Sequence, residues 1–133
     1  MHCCGNTDWS ILMDCDFDII NFDACEYFQG MTLYTDQLKS YLNKGGVLAW
    51  GIVPTSPQSQ LPTTDELQRN FIEKVELLVE RGLNKRQLLK QALLTPSCGM
   101  GTLSESHAEE VLHKLVEISQ QVRIQYLEKK KAG

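Results

Sequence analysis

The run Val47-Leu48-Ala49-Trp50-Gly51-Ile52-Val53 constrains the fold more than any other part of the chain. Seven residues without polar alternation are too few for an ordinary buried helix. They fit a parallel strand covered on both faces rather than the edge of an antiparallel sheet. Gly45-Gly46 stops a preceding helix expected over about Leu33 to Leu42. Upstream of that helix, the short apolar piece Asp18-Ile19-Ile20-Asn21-Phe22-Asp23 reads as a second buried strand, preceded by a helix Trp9 to Asp14 that Asp8 can cap.

The same alternation continues downstream. Pro54 to Pro62, rich in Ser, Pro, Thr and Gln, reads as a loop at the carboxyl end of the central strand. Thr63 and Glu66 have capping-box spacing, and Leu67, Phe71, Val75 and Leu78 then recur at helical intervals up to Gly82. Asn84 can open a further short helix, and Leu93-Leu94-Thr95-Pro96-Ser97-Cys98-Gly99 reads as a strand running into a loop. Ser104 caps a last helix of near six turns, with Ala108, Val111, Leu112, Leu115, Ile118, Val122 and Tyr126 as its apolar face.

Strands alternating with helices imply an α/β fold whose parallel strands are joined by right-handed crossovers. About four β/α units can be counted in 133 residues, and His2 and Cys4 sit where a first strand should just have ended, with Met1 alone before them. The expectation is therefore half of a (β/α)8 TIM-type barrel with a truncated first strand, since closure of the full barrel typically needs about 250 residues. Composition alone also fits a small open α/β sheet that folds by itself. Either way residues 1–133 form a single domain, with 128–133 as a solvated basic tail around Lys129-Lys130-Lys131.

A net charge of −4, with acidic and basic residues intermixed, gives no footprint for nucleic acid or an anionic membrane. No stretch approaches the ~20 apolar residues needed to span a bilayer, and the opening residues lack a signal-peptide pattern, so a cytoplasmic location is expected. Five cysteines form an odd set, for which metal binding or catalysis is a better expectation than a disulfide framework. Cys15 and Cys25 read as plain buried thiols. His107 and His113, on the last helix, read as surface residues.

His2, Cys4, Asp23 and Cys98 all fall at the carboxyl ends of expected strands, the rim where parallel α/β folds bind ligands. Two thiolates, an imidazole and a carboxylate on one rim have the makings of a zinc site, although the residues alone leave open that they are unrelated loop positions. Zn2+ with one exchangeable position can bind a thiol and hold it as the nucleophilic thiolate, so alkyl transfer to sulfur is the matching chemistry. A purely structural site fits less well, because its ligands usually come as close Cys-x-x-Cys pairs. Trp50 could line a substrate pocket, with core packing as the ordinary alternative.

His2-Cys3-Cys4-Gly5-Asn6-Thr7 resembles the His-x-Cys-Gly-Asn-Thr zinc motif of the corrinoid-dependent, thiol-methylating methyltransferases. Thr95-Pro96-Ser97-Cys98-Gly99 resembles their distal Pro-x-Cys-Gly motif. These enzymes share a barrel superfamily with cobalamin-independent methionine synthase and uroporphyrinogen decarboxylase. The segment Asp18 to Asp23 is similar to the methionine synthase strand that ends in a ligating glutamate. The resemblance spans essentially the whole chain as the last four β/α units of the barrel.

It implies His2, Cys4 and Cys98 as zinc ligands, and Asp23 as a further ligand or substrate contact in place of glutamate. Glu26 is the poorer choice, being in the loop after the strand. The implied reaction is methylation of a small thiol such as homocysteine, as in methionine biosynthesis, from a folate or corrinoid donor. Two other outcomes are compatible with the motifs. One is a non-catalytic half-barrel or subunit needing a homo-oligomer or a partner chain to supply the amino-terminal half, where much of the donor-binding surface lies in the family. The other is a metal-free protein like the decarboxylase.

Overall fold

A computed structural model describes residues 1–56 and 60–128. The central loop is thus described except for 57–59, and most of the expected basic tail, 129–133, lies outside the described residues. Four strands form one parallel sheet in sequential order: β1 (His2–Cys3), β2 (Ile19–Asp23), β3 (Val47–Val53) and β4 (Ala92–Pro96). Between them lie α1 (Trp9–Asp14), α2 (Phe28–Met31), α3 (Thr35–Asn43), α4 (Thr64–Glu80) and α5 (Lys85–Lys90). The chain then runs through α6 (Glu105–Val122) into a π-helical turn over Arg123–Glu128. No helix among the described residues is long and apolar enough to cross a membrane.

Sequential parallel strands joined by crossovers of one hand carry all their helices to one side of the sheet. The aromatic core lies on that side. Trp50 of β3 meets Phe22 of β2 at 5.3 Å between ring centroids, Phe28 of α2 at 5.8 Å and Phe71 of α4 at 5.2 Å, while Trp9 of α1 stands edge-on to Phe22 at 6.0 Å. The helices start where the chain supplies oxygen acceptors for their free amides. Asp8 accepts from Ser10 N, Asn84 from Gln87 N and Ser104 from His107 N, and Thr63 and Glu66 make the full reciprocal capping box. At the other end of α3, Gly45 takes φ 92°, where a side chain would be strained.

The opposite face is different. Strand alternation and register place His2, Ile19, Asn21, Asp23, Val47, Ala49, Gly51, Leu93 and Thr95 there. Ile19 is 41% exposed and Leu93 44%, so no helix layer covers these positions. The central strand itself is nonetheless buried on both faces, as expected: every residue from Leu48 to Val53 is buried, and the exposed positions lie on the flanking strands. Ala49 and Gly51 are the small residues of this face, and the Asn21 side chain of β2 reaches across it to the Ala49 carbonyl and the Thr95 hydroxyl.

Gly51 sits at the tightest point of this face. A Cβ there would lie 2.7 Å from the Phe22 carbonyl oxygen, 2.8 Å from Ser97 Cα and 3.0 Å from the Pro96 carbonyl oxygen, all of them backbone atoms that cannot rotate away. Gly51→Ala should therefore lower stability by about 1–3 kcal/mol, read as a shift of the urea midpoint, and an unshifted midpoint would contradict this close approach.

Several boundaries differ from expectation. His2 lies in a strand rather than in a loop: a two-residue β1 pairs with β2, and its neighbour Met1 donates its amino group to the Ile19 carbonyl and accepts from Asn21 N. The helix expected from Leu33 begins earlier, as the four-residue α2 and a 3-10 turn over Thr32–Tyr34. Burial of Phe28 and Met31 and the Thr32 hydroxyl bond to the Gln29 carbonyl hold that turn, and Leu33 is left exposed. On α6, Val111, Ile118 and Val122 are buried, whereas Leu112, one residue and about 100° off that stripe, is exposed. Cys15 is exposed rather than buried, and Cys25 is exposed as a residue while its sulfur is turned inward against the carbonyls of Gly51 and Ile52. His107 is half-buried, with Nε2 shut from solvent, because the first turn of α6 packs against the body of the protein; His113 is exposed.

Candidate metal centre

The His-x-Cys spacing acts through extended geometry, in which residues i and i+2 share a face. Pairing of β1 with β2 puts His2 opposite Asn21 on the uncovered face, Cys3 against the core and Cys4 just beyond the strand end on the His2 side. Cys98 arrives from the far edge. Ser97 continues the β3 pairing by donating its amide to the Val53 carbonyl at 2.8 Å. Its buried hydroxyl accepts from Thr55 N at 3.1 Å and lies 3.0 Å from Thr55 Oγ1. This anchors the residue immediately before Cys98, which is itself exposed.

The ligand atoms of His2, Cys4 and Cys98 all lie within 4.8 Å of one another. In a flat sheet β1 and β4 would be about 14 Å apart, three strand spacings of ~4.8 Å. The segments past the strand ends must therefore lean inward across β2 and β3. A tetrahedral zinc site, with Zn–S about 2.3 Å and Zn–N about 2.0–2.1 Å, puts its donors roughly 3.5–3.8 Å apart, so small side-chain rotations would close the observed spread.

Electrostatics agree with the donor set. The Cys4 thiol is held above its ordinary range, first by the hydrogen bond and charge of Cys98 beside it and then by Cys3 and Asp23. Two sulfurs this close resist becoming anions together, and a cation between them reverses that resistance. Cys25 is a different kind of thiol. Its sulfur donates to the carbonyls of Gly51 and Ile52, both at 3.5 Å, and burial of the sulfur, then the Asp23 charge, push it up to about 11.

The other expected site residues are not gathered into this group. Asp23 is buried, and its Oδ1 accepts from Cys25 N at 2.8 Å and Glu26 N at 3.0 Å, fastening the turn after β2. It reaches Cys4 by charge, outside the three-residue cluster. Glu26 is exposed in that turn. Trp50 is fully buried on the helix-covered face, the opposite side of the sheet from the cluster, so a substrate-lining position is corrected to core packing.

Sequence reasoning passed over Asn21. Its Oδ1 lies 2.5 Å from His2 Nδ1 and its Nδ2 donates to the Ala49 carbonyl and the Thr95 hydroxyl. The available signal was a polar side chain between Ile20 and Phe22, in phase with Asp23 on the uncovered face. No protein-family model matches the sequence, and no curated protein matches it.

Proposed function

We propose that His2, Cys4 and Cys98 hold a zinc ion and that the protein serves methyl transfer to a small thiol such as homocysteine. The supporting observation is the convergence of one imidazole and two thiols, from chain positions almost a hundred residues apart, to within 4.8 Å on an exposed rim. Three protein donors leave one position for an exogenous ligand, the pattern of catalytic rather than structural sites. A zinc ion bound there would supply the positive charge that keeps an incoming thiol ionised at neutral pH. The thiolate sulfur then attacks the methyl carbon as the bond from that carbon to its folate or corrinoid carrier breaks. The chain's part is to present both cysteines on one side and keep the rim open to the acceptor.

A second reading is favoured by the uncovered sheet face: the chain acts as half of a (β/α)8 barrel and needs another half, from a partner or a second copy. Parallel sheets normally bury both faces, yet Ile19 and Leu93 stand open. A groove of about 370 Å³, lined by Phe71, Leu89, Ala92, Leu94 and Val122 among others, lies beside β4. The resemblance to methionine synthase and the thiol methyltransferases points the same way.

Protein isolated without a histidine tag or chelators should carry about one zinc per chain and methylate homocysteine from a folate or methylcorrinoid donor. Activity appearing only with a complementing half-barrel selects the second reading. Absence of zinc after incubation with excess ion and removal of the unbound fraction would overturn both and leave a metal-free, decarboxylase-like protein.

A further inference from the structure

From β2, the one carboxamide of Asn21 reaches β1, β3 and β4. Both of its Nδ2 hydrogens are used, one on the Ala49 carbonyl at 2.9 Å and one on Thr95 Oγ1 at 2.8 Å. The Ala49 carbonyl oxygen is an acceptor only, so the amide nitrogen must face β3 and β4 and the amide oxygen must face β1. That oxygen lies 2.5 Å from His2 Nδ1 and is itself an acceptor only. The hydrogen between them therefore belongs to His2, and the lone pair of the neutral ring is left on Nε2. The orientation of the amide and the tautomer of the imidazole follow from one fixed carbonyl, with no assignment left over.

We infer that Asn21 is the positioning residue of this centre: it holds His2 in the Nδ1–H form and commits Nε2 as the donor that joins Cys4 and Cys98. The inference rests on the metal reading above and adds a residue to it. Metal-bound histidines are generally oriented through the ring nitrogen that does not bind the metal, by a carboxylate, carbonyl or water. Here a side-chain amide does so, and its other end reaches Thr95, in the strand that leads to Cys98. The strands carrying the imidazole and the distal thiol are thus registered through one group.

Two measurements test this on the full chain. In metal-free protein at about pH 8.5, where a histidine is ordinarily neutral, imidazole nitrogen shifts should place the His2 proton on Nδ1, whereas a free histidine side chain carries it mainly on Nε2. Zinc affinity should fall about 10- to 100-fold in Asn21→Leu, with the His2 proton moving to Nε2. Asn21→Asp keeps an acceptor for His2 but loses the donor to Ala49, so it should keep the tautomer and an affinity close to the parent's while melting at a lower temperature. A merely structural asparagine gives another pattern, in which affinity follows stability across the two variants. An Nε2–H ring in the parent, or undiminished zinc binding in Asn21→Leu, overturns the role of Asn21 and leaves the metal centre standing. Failure of the parent to bind zinc at all overturns both.

Discussion

A Cys98→Ser variant should bind zinc about 10²- to 10³-fold more weakly than the parent. Full zinc sites in small peptides have apparent binding free energies of roughly 10–16 kcal/mol, or about 2.5–4 kcal/mol for each of four ligands, and each 1.4 kcal/mol is a factor of ten. Serine keeps the size of the side chain and removes a soft, ionisable donor, so the loss reports ligation rather than packing. Cys98 is exposed and its anchor is the neighbouring Ser97, so the fold should hardly respond. Competition against a chelating dye measures the change. Cys25→Ser is the control: that thiol lies outside the cluster and should leave zinc affinity as it was. Equal affinities for parent and Cys98→Ser would remove Cys98 from the site.

Trp50→Ala should cost about 3–5 kcal/mol, against the ~5–15 kcal/mol that holds a typical domain together. Trp50 is fully buried and its ring touches Phe22, Phe28 and Phe71, so truncation empties the junction of β2, β3, α2 and α4. Trp50→Phe should cost much less, because the indole N–H it removes is already buried without a hydrogen-bond partner. Urea titration followed by circular dichroism separates the two. A mild Trp50→Ala variant with impaired thiol binding would reverse the assignment and return Trp50 to a substrate pocket.

The elements that sequence reasoning located well are those with a local physical signal. Val47–Val53 is a strand by its unbroken apolar run, and α4 is framed by its capping box and its spaced Leu67, Phe71, Val75 and Leu78. The short α2 has no side-chain cap and contains Gly30, so only the tertiary burial of Phe28 and Met31 makes it helical. The two-residue β1 carries no periodicity at all; it exists because β2 offers it a partner. For the site, the i, i+2 relation made His2 and Cys4 readable as a pair, and placement at a strand end made Cys98 a reasonable third member. Asp23 looked equally well placed, yet its carboxylate is turned into the amides of Cys25 and Glu26, a choice set by the loop rather than by position along the strand. The Asn21 bridge depends on inter-strand register, which no local pattern states.

The convergence of His2, Cys4 and Cys98 on one ion is tested most directly by X-ray absorption at the zinc edge of the loaded protein. The account predicts a four-coordinate shell with two sulfurs at about 2.3 Å, one imidazole nitrogen at about 2.0–2.1 Å and one further light atom. A shell of oxygen and nitrogen alone, or one unchanged by Cys98→Ser, would contradict it.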